Sequence, residues 1–128
     1  MSSDTRLTRH FRLSEVACKC GSCETTVDLI DSHLMYRLQG LRDAFGLPLH
    51  INSGYRCRAH NDAINGSVNS QHLYGKAVDI STKNLSGAEK YRLLQLIMRL
   101  GTFTGVGIAK TFIHVDVRDT DNPIIWTY

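Results

Sequence analysis

Residues 111–118 read TFIHVDVR, and this stretch limits the fold more than any other. A β-strand turns successive side chains to opposite faces. Ile113, Val115 and Val117 therefore share one face, and His114 and Asp116 share the other. Such a strand needs an apolar layer behind it and carries an imidazole and a carboxylate in front. The preceding GVGIA reads as a second strand, joined to the first by a tight turn near Lys110. KAVDIS fits a buried strand, and Leu49–Asn52 a further one that leads into a turn at Ser53-Gly54.

Two helices can supply the apolar layer. From Val27 to Phe45 the apolar residues Ile30, Leu34, Leu38, Leu41 and Phe45 recur at steps of three and four. Asp28 and Asp31 fall in the expected first turn, where the helix dipole favours negative charge, and Gly46 and Pro48 mark a stop. SGAEKYRLLQLIMRLG is the second helix, with Ser86 and Glu89 in capping-box spacing and Gly101 at the end. Ser14 is expected to start a short helical turn, CRAHNDAI a short helix, and NGSVNSQ a loop. The fold class is α+β: a small antiparallel sheet with packed helices. A chain of 128 residues is expected to form one domain, 1–128.

The net charge of +3 comes without a dense Lys/Arg run, so no nucleic-acid partner is expected. Charges interrupt every apolar stretch, so no membrane span is expected. The opening MSSDTRLTRHFRLSEVA lacks the apolar core of a secretory signal. A monomer is expected.

Four cysteines are present, three of them in CKCGSC: Cys18, Cys20, Cys23 and Cys57. Cys20-x-x-Cys23 has the spacing of a metal knuckle, with Gly21 to allow its tight turn. Free thiols, disulfides and a structural metal all remain open. A bond from the cluster to Cys57 would brace the loop that carries Arg56. A nucleic-acid-binding zinc module would need basic and aromatic residues gathered near the cysteines, and the sequence does not gather them there.

SQHLYGKAVDI, residues 70–80, places His72 and Asp79 seven positions apart, with Gly75 between them. Imidazole and carboxylate both suit zinc, which in catalytic sites commonly takes three protein ligands and leaves a fourth position open. His114 is the best third partner.

Three stretches, SGYRCRAHN, SQHLYGKAVDI and FIHVDVR, together resemble the zinc D-Ala-D-Ala carboxypeptidases and peptidoglycan endopeptidases. That family's pattern is S-x-H-x-x-G-x-A-x-D followed by a distant strand histidine. Ser70, His72, Gly75, Ala77, Asp79 and His114 match it. The resemblance extends over most of the chain and is nearest to short phage and prophage lysis enzymes. It implies a hedgehog/DD-peptidase-like fold, Zn2+ as cofactor, and His72, Asp79 and His114 as its ligands. It implies that Arg56 pairs with a substrate carboxylate or a developing oxyanion, and that Ser70 and Gln71 border the site. Tyr74 flanks it and is taken as a peptide contact.

One position departs from the pattern. Many members carry a carboxylate base three residues before the last zinc histidine, where this chain has Thr111. Asp116 is the best substitute base; its other reading is a partner that orients His114. Asp119 and Asp121 are weaker substitutes. The expected activity is zinc-dependent hydrolysis of D-residue peptide bonds in peptidoglycan, on the cell wall, in lysis or remodelling. The alternative is a non-catalytic zinc-containing wall-binding module of the same fold, motivated by Thr111.

Overall fold

The computed structural model describes residues 4–128; residues 1–3, the start of the segment read above for a leader, lie outside the described residues. A short helix α1 (Leu13–Val16) is followed by the cysteine-bearing loop and the long helix α2 (Ser32–Phe45). Strand β1 (Ile51–Ser53) leads into α3 (Arg58–Ala63), a 3-10 turn (Gln71–Tyr74) and β2 (Ala77–Ser81). Helix α4 (Gly87–Leu100) precedes β3 (Gly105–Ile108), β4 (Phe112–Asp116) and β5 (Ile124–Thr127). The architecture is α+β, with a five-stranded sheet of order β1-β2-β4-β3-β5.

One face of the sheet is apolar because of the period-two pattern. Val78, Ile80, Val106, Ile113 and Val115 lie on that face and are buried. Helix α2 covers it with Leu34, Met35, Leu38, Leu41 and Phe45, and α4 with Leu93 and Ile97. Both helices stop where left-handed glycines, Gly46 and Gly101, accept a backbone geometry that side chains resist. The capping box of Ser86 and Glu89 forms as its spacing predicts.

The other face carries a polar row set by register. Ser53 lies opposite Asp79, Asp79 opposite His114, His114 opposite Gly107, and Gly107 opposite Trp126. A bulge in β1 makes this row possible. Ile51 pairs with Ile80 and Ser53 with Asp79, so two residues of β1 pass for one of β2. Without the extra residue Ser53 would share the core face of Ile51; the bulge turns it to the polar side.

Two expectations change in the structure. The helix expected from Val27 breaks: Val27–Leu29 is a 3-10 turn, Ile30 and Asp31 are extended, and α2 begins at Ser32. Asp31 serves as its N-cap, its carboxylate accepting from the Leu34 N–H at 3.0 Å. The sheet is also larger than the expected antiparallel one. Its tail strand β5 adds in parallel to β3, where the sequence shows only a short apolar run after Pro123.

The break before α2 meets the site through Gly75. Asp31 N–H donates to the Gly75 carbonyl at 3.0 Å. Gly75 has φ +66°, and a Cβ there would collide with the Leu29 carbonyl oxygen. Gly75→Ala is therefore expected to cost roughly 3 kcal/mol of stability in denaturant unfolding. A cost under about 0.5 kcal/mol, in the range of an ordinary surface substitution, would contradict this close packing.

Candidate metal centre

His72, Asp79 and His114 reach one point from three elements. Asp79 and His114 are cross-strand partners on β2 and β4. His72 comes from the 3-10 turn, where the Ser70 hydroxyl accepts from its backbone N–H at 3.2 Å. One ligand-capable atom from each of the three lies within 4.8 Å of the others. All three side chains are buried.

The hydrogen bonds fix which ring nitrogens face the centre. His72 Nδ1 lies 2.7 Å from the Gly54 carbonyl oxygen, which can only accept. Nδ1 therefore carries the proton, and Nε2 turns its lone pair toward Asp79 Oδ1 at 3.2 Å. His114 Nε2 lies 2.7 Å from Asp116 Oδ2, and Nδ1 lies 3.0 Å from Asp79 Oδ1. Two imidazole lone pairs thus converge on one carboxylate oxygen. Three acceptors in a buried space need a cation among them: a proton on each ring, or one metal ion. The donor set fits a metal that accepts nitrogen and oxygen ligands.

The electrostatics follow. Burial opposes the charged form of Asp79, but bonds to His114 and His72 overcome it and hold its carboxyl well below the usual range. Burial would also lower His114, yet Asp116 and Asp79 raise it on balance. Asp116 is brought down to about 2, against the burial that pushes it up, by His114 and Arg118.

Asp116 sits behind His114, fully buried. Its Oδ1 accepts from the Arg118 N–H and Nε at 3.1 and 2.9 Å. Its Oδ2 accepts from Arg118 Nη2 and His114 Nε2, both at 2.7 Å. Gly105, opposite in the register, leaves the space this carboxylate fills. This placement favours the orienting role of Asp116 over that of proton acceptor, because His114 and Arg118 engage both oxygens and the carboxylate is not part of the cleft lining.

An open cleft of about 440 Å³ lies over the triad. Arg56, Ser70 and Gln71 line it, as do Phe112, Arg118, Trp126 and Tyr128. Arg56 donates from Nε to Ser53 Oγ at 3.1 Å, from Nη1 to Asn61 Oδ1 at 3.2 Å, and from Nη2 to Asp79 Oδ2 at 3.4 Å. Tyr74 stays outside the lining. It follows His72 by two positions, about two-thirds of a 3-10 turn round, and is 54% exposed. Thr111, Asp119 and Asp121 also lie outside the lining; Asp79 is the one carboxylate there among the described residues.

Arg118 is the lining residue that the sequence did not single out, and the tail aromatics Trp126 and Tyr128 join it there. Trp126 tilts against His114, ring centroids 5.1 Å apart, over the gap at Gly107. A Cβ at Gly107 would come within 2.7 Å of the indole. The spaced glycines of GVGIA were the available signal: on a strand, bare positions mark where a neighbour comes close.

A buried His/Asp/His set at the floor of a cleft, on one face of an α+β sheet, has the donors of a candidate metal centre with room above it for a ligand. Residues 9–116 match the Peptidase M15 family, and the chain belongs to that family. It is also similar to the zinc D-Ala-D-Ala carboxypeptidase of Streptomyces albus G, 33% identical over 73 residues. The match covers 56% of this chain and 27% of that protein, so the chain spans about a quarter of the curated relative.

Two expectations test the site. Asp116→Asn is expected to weaken metal binding by about 10–100-fold in a competition titration, since the partner that fixes the His114 ring becomes a neutral amide. An unchanged affinity would remove Asp116 from the support of the centre. The second concerns metal-free protein. Asp116 has a folded-state value below its unfolded one, so its contribution is present above the unfolded value near about 4 and is lost as pH falls toward about 2. His114, raised on folding, stabilises below its unfolded value and loses that contribution as pH rises through its folded one. Wild-type denaturation midpoints should therefore drop below about pH 4, and Asp116→Asn should flatten that drop.

Proposed function

We propose that this chain is a zinc-dependent peptidase that hydrolyses peptide bonds of D-amino acids in bacterial peptidoglycan. The bond is either a terminal D-alanyl-D-alanine or a cross-link, and the setting is lysis or wall remodelling, as in phage and prophage enzymes. The observation that carries the reading is the convergence of His72, Asp79 and His114 beneath a cleft that also holds Arg56. Family membership and the name of the Streptomyces relative support the zinc and the substrate class.

His72 Nε2, Asp79 and His114 Nδ1 would hold the zinc. Bound there, zinc would polarise a scissile carbonyl and make a water acidic enough to attack near neutral pH. The Gly54 carbonyl holds the His72 tautomer, and Asp116 holds that of His114. Arg56 is braced by Ser53 and Asn61, so its fork is fixed before substrate arrives. It can turn donors to a terminal carboxylate or to the oxyanion of the tetrahedral state. Trp126, Tyr128 and Gln71 line the cleft and are available to a peptide.

A second reading has its own observation. Thr111 stands where many relatives place the base, and the lining offers no carboxylate free of the triad among the described residues. This favours a non-catalytic wall-binding module with the same centre.

The experiment is digestion of purified peptidoglycan by zinc-loaded protein, with products resolved by mass. Free D-alanine marks a carboxypeptidase and opened cross-links an endopeptidase. Arg56→Ala is expected to lower kcat/KM by about 100-fold, the scale of losing one oxyanion donor. Binding to the wall without any product, from folded zinc-loaded protein, would instead establish the module.

A further inference from the structure

A second set of donor atoms converges away from the cleft. Cys18, Cys20 and Cys23 come from the loop after α1, and Cys57 from the N-cap of α3. Their four Sγ atoms lie within 4.8 Å of one another. All four cysteines are free. Cys18 and Cys57 are 3.7 Å apart, Cys20 and Cys57 3.9 Å, and Cys20 and Cys23 3.3 Å.

Those spacings discriminate between a bridge and a metal. A disulfide pairs sulfurs at about 2.05 Å and leaves the two bridges of a four-cysteine set independent. A tetrahedral ion with metal–sulfur bonds of about 2.3 Å spaces its four sulfurs along edges of about 3.8 Å. The sulfurs here gather around one point, and Cys57 lies at that edge length from both Cys18 and Cys20.

The surrounding backbone is arranged for sulfur anions. Cys20 Sγ accepts from the N–H groups of Ser22 and Cys23 at 3.4 and 3.3 Å. Cys18 Sγ accepts from Cys57 N–H, and Cys57 Sγ from His60 N–H, each at 3.4 Å. Gly21, at φ +77°, makes the tight turn that aims the first two donors. Backbone N–H groups directed at sulfur offset the charge that thiolate ligands bring to a metal.

We infer that Cys18, Cys20, Cys23 and Cys57 form a second, structural metal site, a tetrathiolate centre for a zinc-class ion, whose task is to fix residues 53–57. That loop meets the proposed zinc ligands directly. It presents the Gly54 carbonyl to His72 and the Arg56 guanidinium to Asp79. It is pinned by Tyr55 N–H on the Val16 carbonyl at 2.8 Å and by Arg56 N–H on the His72 carbonyl at 3.1 Å. The cysteine site would lock the next residue. Metal binding at the cysteines is independent of the proposed peptidase activity; only the value of bracing Arg56 rests on it.

The test uses the full chain purified without chelator. Metal analysis is expected to give two zinc ions per chain, one for each convergent group. The double variant Cys20→Ser/Cys23→Ser should fall to one ion. His72→Ala/His114→Ala should also fall to one, yet after cobalt substitution it should keep the thiolate-to-metal charge-transfer band of a sulfur site. Intact mass after denaturation in chelator should show four reduced thiols. A mass lower by two hydrogens for each bridge would overturn the proposal, as would cobalt-loaded wild type with no thiolate band. Should the cysteine variant not fold, the wild type and the histidine variant still decide, since both readings are made on chains with all four cysteines.

Discussion

The pairing of Asp79 with His114 across β2 and β4 is the constraint on which the rest of the structure depends. A carboxylate taken out of water costs several kcal/mol unless charge or hydrogen bonds replace the solvent. Asp79 meets that requirement on both oxygens. Oδ1 faces the two histidines and Oδ2 faces Arg56. A one-residue slip between these strands would turn Asp79 into the apolar layer and bring Val78 or Ile80 into the cleft. Register is thus specified twice: by the apolar face beneath and by the ion pairs above.

The same logic extends outward through a second carboxylate. Asp116 is buried more completely than Asp79, and His114 and Arg118 share it. Asp79 therefore has an arginine and two histidines, and Asp116 an arginine and one histidine. The two arginines differ in freedom. Arg56 is held by neutral acceptors as well as by Asp79, whereas Arg118 closes a fork on Asp116 and lies beneath the indole of Trp126. The first is suited to give donors to a ligand; the second is occupied with holding the sheet.

Glycine shapes this face as much as charge does. Gly105 and Gly107 on β3 leave room for the Asp116 carboxylate and the Trp126 indole. Gly75 lets the chain after His72 press against Leu29. The apolar side of the sheet has no such gaps, because its task is only to be filled.

The sequence by itself determined the class of fold, both long helices with their stops, the strands around Asp79 and His114, and the pool of candidate ligands. These are local: period, caps and spacing act within a few residues, and the alternation of FIHVDVR separates core from site without any knowledge of neighbours. Only the tertiary structure decided what depends on register and on contacts far along the chain. It decided that β5 joins β3, that the helix expected from Val27 breaks at Asp31, and that Tyr74 leaves the cleft while Trp126 enters it. It also decided the position of Asp116, because period two gave its face but not Arg118 folding back to engage it. It brought Cys57 to CKCGSC across 39 residues from Cys18. Such contacts are chosen by the global packing of the chain, and no local pattern encodes them.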